Sequence, residues 1–105
     1  MVIVQFGRWY PLALAADHAP AGPGVFQVRT RLGLVEYPRG KSAMVHYGAA
    51  ADVRAAAAAL ARAHPAADLL CRHLVDLDDD AAVTTLVHKL VRDFTARFGR
   101  APGVP

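Results

Sequence analysis

Gly24-Val25-Phe26-Gln27-Val28-Arg29-Thr30, followed by Ser42-Ala43-Met44-Val45-His46-Tyr47-Gly48 and a long alanine run, decides the architecture of this 105-residue chain. In the first segment Phe26 and Val28 alternate with Gln27 and Arg29, the period of two that marks a strand. The second segment predicts a partner strand, with Met44 and His46 on one face and Val45 and Tyr47 on the other. Between them, Leu32-Gly33 through Gly40 is turn-rich, so the pair reads as an antiparallel hairpin with a long tip. Gly48 ends the second strand, and Ala49 to Ala63 is expected to be helical because alanine is the best helix former. Val53, Ala56, Ala57 and Leu60 recur at helical spacing and form its inward stripe.

Working outward, Ala19-Pro20-Ala21-Gly22-Pro23-Gly24 is a cluster of breakers that no helix crosses. Upstream, Val2 to Phe6 reads as a short strand, and Trp9 to Ala16 as a loop or helical turn packed through Trp9, Leu12 and Leu14. Downstream, His64-Pro65 stops the alanine helix. A third strand spans Leu69 to Leu77, with Leu69, Cys71, His73 and Val75 alternating against Leu70, Arg72, Leu74 and Asp76. Asp78, Asp79 and Asp80 suit the positive N-terminal end of a last helix, one of them as N-cap. That helix runs to about Phe98 with Val83, Leu86, Val87, Leu90, Val91, Phe94 and Phe98 on one side, and Gly99 closes it. The order β-β-α-β-α predicts an α+β fold, a small three-stranded antiparallel sheet flanked by helices. Residues 1–105 read as a single domain, with residues 1–22 as an N-terminal extension, 23–99 as the core and 100–105 as a flexible tail.

The hydrophobic share of 54% is too high for a disordered chain, and no apolar run approaches the roughly 18 residues of a membrane span. Met1 to Phe6 has neither the charged lead nor the long apolar region of a signal peptide, and the single cysteine, Cys71, rules out an internal disulfide. A cytoplasmic location without membrane contact is the expectation. The net charge is only +3, but the cations are grouped. Arg29, Arg31, Arg39 and Lys41 surround the hairpin against Glu36 alone, and Lys89, Arg92, Arg97 and Arg100 gather at the C-terminal end against Asp93 alone. Two such patches suit a polyanion. Arg29, Arg39, Lys41, Lys89 and Arg92 are therefore candidate nucleic-acid contacts, beside the ordinary reading of solubilising surface charge.

Pro23-Gly24-Val25-Phe26 and Val45-His46-Tyr47-Gly48, with Arg54 early in the following helix, resemble the two strand motifs and the helical arginine of the GIY-YIG nuclease family. Leu90-Val91-Arg92 to Arg97-Phe98 resembles the tail of that family's last helix, so the likeness covers about Pro23 to Gly99. The family's order of elements is the β-β-α-β-α order read above. The resemblance implies that a tyrosine hydroxyl helps position or activate the attacking water, and that a glutamate holds a divalent cation which stabilises charge on the phosphate. Here phenylalanine, Phe26, stands for the first tyrosine, and His46 for the second. Val87 occupies the place of the glutamate, and Gly99 that of a frequent closing asparagine.

Phe26 has lost the hydroxyl, whereas His46 has the ordinary pKa of a general base at neutral pH, or is simply a sheet residue. Arg54 can grip a phosphate in bidentate fashion or stand as a solvated helix residue. Valine binds no metal. Asp79 and Asp80 read as helix caps, and Asp93 as a surface partner of Lys89. The tip Tyr37-Pro38-Arg39-Gly40-Lys41 is a basic, aromatic loop able to stack on a base, or a surface turn. Gly40-Lys41-Ser42 leads into a strand and is no phosphate-binding P-loop; the five histidines show no metal-ligand spacing. The reading is a degenerate GIY-YIG-like module that binds DNA, RNA, a protein partner or a second copy of itself without a cofactor. The alternative is a divergent endonuclease with His46 and Arg54 as catalytic residues and Mg²⁺ or Mn²⁺ as its metal.

Overall fold

The computed structural model describes residues 6–74 and 80–103, residues 80–83 by backbone only. The strand expected from Val2 falls outside the described residues except for Phe6, as do the acids Asp76, Asp78 and Asp79, the cap side chain of Asp80 and the strand end beyond Leu74. The elements in chain order are β1 (Tyr10–Pro11), a 3-10 turn (Leu12–Leu14), α1 (Ala15–His18), β2 (Gly24–Thr30), β3 (Val35–Tyr37), β4 (Gly40–Ser42), β5 (Met44–Ala50), α2 (Val53–Ala63), β6 (Leu69–His73) and α3 (Asp80–Phe98). The fold is α+β, with antiparallel strands throughout.

The main sheet has four strands in the order β1-β6-β2-β5, which corrects the expected three. The added strand is β1, where Tyr10 faces Cys71 and Pro11 faces Leu70. Phe6 bridges Leu74, and the Gly7 N–H donates to the His73 carbonyl at 2.9 Å. A proline beside so short a segment conceals the strand, since proline has no N–H for a ladder and is tolerated only at a sheet edge. The long hairpin tip is likewise partly regular. β3 and β4 pair Val35 with Ser42, Glu36 with Lys41 and Tyr37 with Gly40, so only Pro38 and Arg39 turn. Gly40 has φ 140°, a backbone that favours glycine.

β2 lies between β6 and β5, and Gly24 through Val28 are buried along it without a gap. One face, carrying Phe26 and Val28, meets Tyr10, Leu12, Ala15, Val53, Ala57, Leu69 and Cys71, so the 3-10 turn, α1 and α2 cover it. On the other face Val25 and Leu74 pack with Phe6, Leu86 and Val87, under α3. The expected inward stripe of α2 is borne out, with Val53 and Ala57 buried and Ala56 and Leu60 packed beside them. Gly99 adopts φ 92° after α3 and donates its N–H to Thr95 at 2.8 Å, as its capping role requires.

Two local expectations are corrected. The β2–β5 register shifts between Val28 and Arg29, which face His46 and Met44, leaving Val45 as the extra residue of a bulge. Val45 is therefore fully buried in the cluster of Phe26 and Val28, rather than placed opposite His46. Gly48 does not end the strand: β5 continues to Ala50, opposite Gly24, and α2 starts at Val53. Asp52 supplies the helix start, its carboxylate accepting from the Ala55 N–H at 3.1 Å.

Gly48 pairs with Phe26. A Cβ at Gly48 would lie 2.7 Å from Phe26 Cε1 and 2.8 Å from His46 Nε2, so both rings lie over the glycine backbone. Phe26 is 3% exposed and has little room to withdraw. Gly48→Ala is expected to lower unfolding free energy by about 1–3 kcal/mol, read as a lower urea midpoint at an unchanged m-value.

Candidate nucleic-acid interface

The residues of the nuclease-like motifs divide between the two sides of the sheet. Phe26, His46 and Gly48 share the face under α2, the rings of Phe26 and His46 being 5.3 Å apart. Burial pushes the His46 pKa down, and charge repulsion from His64 adds to it. Tyr47 belongs to the opposite face, 6.1 Å from the Phe94 ring, and burial raises its pKa against the opposing pull of Arg72. Val87 is on that side too, packed with Val25 and Leu74.

Arg54 is exposed, yet its described contacts serve the fold. Its Nε donates to the Ala19 carbonyl at 2.9 Å, and its backbone N–H to the Pro20 carbonyl at 3.0 Å. The Val53 N–H reaches Gly22 O at 3.0 Å, while Ala55 and Ala56 donate to the Asp52 carboxylate and carbonyl. A helix leaves its first four N–H groups without helical acceptors. In α2 the breaker segment takes those of Val53 and Arg54 and the Asp52 carboxylate takes that of Ala55, so Arg54 acts as a clamp on the loop Ala19-Pro20.

Val87 stands where the resemblance implies a metal-holding glutamate. Valine offers no ligand atom, and its neighbours Val25 and Leu74 are hydrocarbon. Among the described residues no group of three or more His, Cys, Asp or Glu side chains comes together. Cys71 is buried, its thiol pushed up to about 11 by burial against the opposing hydrogen bond of Tyr10. Beside it, the Tyr10 hydroxyl lies 3.1 Å from His73 Nδ1.

The hairpin and the C-terminal end, separate in sequence, form one basic corner. The Arg39 N–H donates to the Phe98 carbonyl at 2.9 Å, which seats the hairpin on the end of α3. Tyr37, Phe94 and Phe98 form an aromatic cluster there, with ring centroids 4.5–5.8 Å apart. Arg100 stacks over Tyr37 at 4.3 Å and Arg97 over Phe98 at 5.2 Å. Lys41 adds a charge, held 3.7 Å from Glu36 in an exposed pair. Tyr37 itself is 6% exposed and donates its hydroxyl to Met44 O at 2.7 Å, so it supports the corner instead of offering a ring to a base. The Gly103 N–H, in the segment expected as a flexible tail, donates to that same hydroxyl at 3.4 Å.

Lys89 and Arg92 are exposed on α3, and Asp93 pairs with Arg92 at 3.9 Å rather than with Lys89 as expected. Arg29 does not join the corner; it stacks on Trp9 at 5.5 Å. There it meets a residue that the sequence reading passed over. Arg72 lies over Trp9 at 4.4 Å and over Phe6 at 4.7 Å, and its Nε donates to Gln27 Oε1 at 2.8 Å. Its signal was a glutamine in the middle of an apolar strand, a buried amide that needs a partner from the next strand.

No protein-family model matches the chain, and a comparison with curated proteins finds no match. No helix among the described residues is long and apolar enough to cross a membrane.

Two titrations give the site a pH signature. Burial lowers the pKa of both His46 and His73 in the folded state. The unfolded chain therefore binds more protons between the lowered values and the ordinary value near 6.5, and stability rises with pH through that window. Unfolding free energy is expected to fall as pH drops from about 7 to about 5. His46→Gln should flatten that slope in urea titrations. Arg54→Ala should cost about 1 kcal/mol through the lost clamp, measured in the same way at neutral pH.

Proposed function

We propose that this chain is a nucleic-acid-binding module of degenerate GIY-YIG-like architecture that does not cleave phosphodiesters. The observation that carries the reading is the basic corner, where Arg39, Arg97 and Arg100 surround the aromatic cluster of Tyr37 and Phe98. Guanidinium groups suit phosphate because their forked donors match its oxygens. Stacking on rings holds Arg97 and Arg100 near their bound positions, which lowers the entropy lost on binding. Lys41, Lys89 and Arg92 extend the charge for a ligand longer than one phosphate.

Two further features support the non-catalytic part. Phe26 has no hydroxyl to activate water, and the place of the metal-holding glutamate is the apolar Val87. The family likeness itself rests on the quoted motifs and on strands β6-β2-β5 with α2 after β5 and α3 after β6.

Fluorescence anisotropy with labelled single- and double-stranded oligonucleotides tests the reading. Affinity should fall steeply between about 50 and about 200 mM salt, because phosphate contacts release counterions. The double variant Arg39→Glu/Arg100→Glu should weaken binding about tenfold or more and shallow the salt slope by about 2. The strands should remain intact in Mg²⁺ or Mn²⁺. Metal-dependent cleavage lost in Arg54→Ala would establish the endonuclease instead, and an absence of binding at low salt would turn the reading toward a protein partner.

A further inference from the structure

The face of the sheet beyond α3 holds a second cationic cluster, built of residues that the basic corner does not use. Arg29 on β2 and Arg72 on β6 both project onto the indole of Trp9, at 5.5 and 4.4 Å. Two guanidinium groups over one ring repel each other, and neither has a carboxylate partner among the described residues. The only salt bridges described between side chains are Lys41–Glu36 and Arg92–Asp93, both elsewhere.

Each arginine is also held by its inner nitrogen. Arg29 Nε donates to the Thr30 carbonyl at 3.1 Å, and Arg72 Nε to Gln27 Oε1 at 2.8 Å. Gln27 is 5% exposed, so its amide is a fixed support beneath Arg72. The Phe6 ring also lies against Arg72, at 4.7 Å. With Nε occupied in both, the described hydrogen bonds leave the terminal nitrogens for a ligand. Planar forks of this kind match the oxygens of a tetrahedral or carboxylate anion. Burial lowers the Arg72 pKa, Tyr47 opposes the shift and the like charge of Arg29 adds to it, so an anion would relieve an existing strain.

We propose that Arg29 and Arg72, mounted on Trp9, form a binding site for a phosphate group. The phosphate has two chemical sources, a free phosphate or phosphomonoester and the phosphodiester of a single strand, for which the indole beside the anion offers a stacking surface.

Trp9 is the one tryptophan of the chain, so its fluorescence reports the site directly. The full chain is titrated at constant ionic strength with inorganic phosphate, and separately with a short single-stranded oligonucleotide, using chloride as the control. A saturable change in Trp9 emission is expected. Saturation with inorganic phosphate assigns a free phosphate ligand, whereas saturation with the oligonucleotide alone assigns the backbone phosphodiester. Arg72→Gln should weaken the response at least tenfold, and Arg72→Lys, which keeps the charge but loses the fork, should weaken it several-fold. Arg29→Gln lies at the strand end, away from the buried amide, and provides the same test if Arg72→Gln does not fold by circular dichroism. Arg39→Glu/Arg100→Glu should leave the phosphate response unchanged, which separates this site from failure or success of the basic corner. A response no larger than that of chloride, or Arg29→Gln and Arg72→Lys titrating like the parent chain, would overturn the proposal.

Discussion

Burial of β2 on both faces is the constraint on which the rest of the structure depends. A strand covered on one side needs only alternating apolar residues, but β2 must satisfy α2 and its neighbours through Phe26 and Val28, and α3 through Val25. Its ladders run to β5 on one side and β6 on the other. A slip of one residue in either would exchange the two faces and put the wrong side chains into each packed layer. The Phe26 ring over Gly48 resists that slip on one ladder, because no other position of β5 offers a glycine backbone to lie against. Across the other ladder, Gln27 faces Arg72 and bonds to it, which answers the one polar side chain buried in the strand.

The same constraint explains why a nuclease-like pattern carries packing roles here. Phe26 and His46 are cross-braced over Gly48 beneath α2, Arg54 ties the breaker loop to the helix start, and Val87 closes the apolar cluster on the far face. Each of these residues has a physical duty that its position alone accounts for. The exposed cations are different. Arg97 and Arg100 are mounted on rings that are already packed, Arg39 is tied to the end of α3 by its backbone, and all three are exposed.

Much of this architecture is legible in the residues. The alternation of Val25 to Thr30, the stripe of Val53, Ala57 and Leu60, the core position of Cys71 and the closing Gly99 follow from period, propensity and glycine's freedom at positive φ. What escaped reading depends on partners distant in sequence. Tyr10–Pro11 is too short to show alternation, and only its pairing with Leu70 and Cys71 makes it a strand. The bulge at Val45 is invisible to a period of two, since the pattern assumes that no residue is extra. Charge clusters were visible along the chain, but the meeting of Arg39 with the end of α3 arises from tertiary packing. Arg72 was hidden for the same reason: its role depends on Gln27 and Trp9, 45 and 63 residues away.

On the proposed function, a polyanion touches the basic corner and leaves the motif residues as scaffold. Amide chemical shifts of the isotope-labelled chain, followed during titration with a single-stranded oligonucleotide at low salt, test it residue by residue. Shifts are expected to concentrate at Arg39 to Lys41 and Arg97 to Arg100. Shifts centred on Phe26, His46 and Arg54, with the corner unmoved, would contradict it.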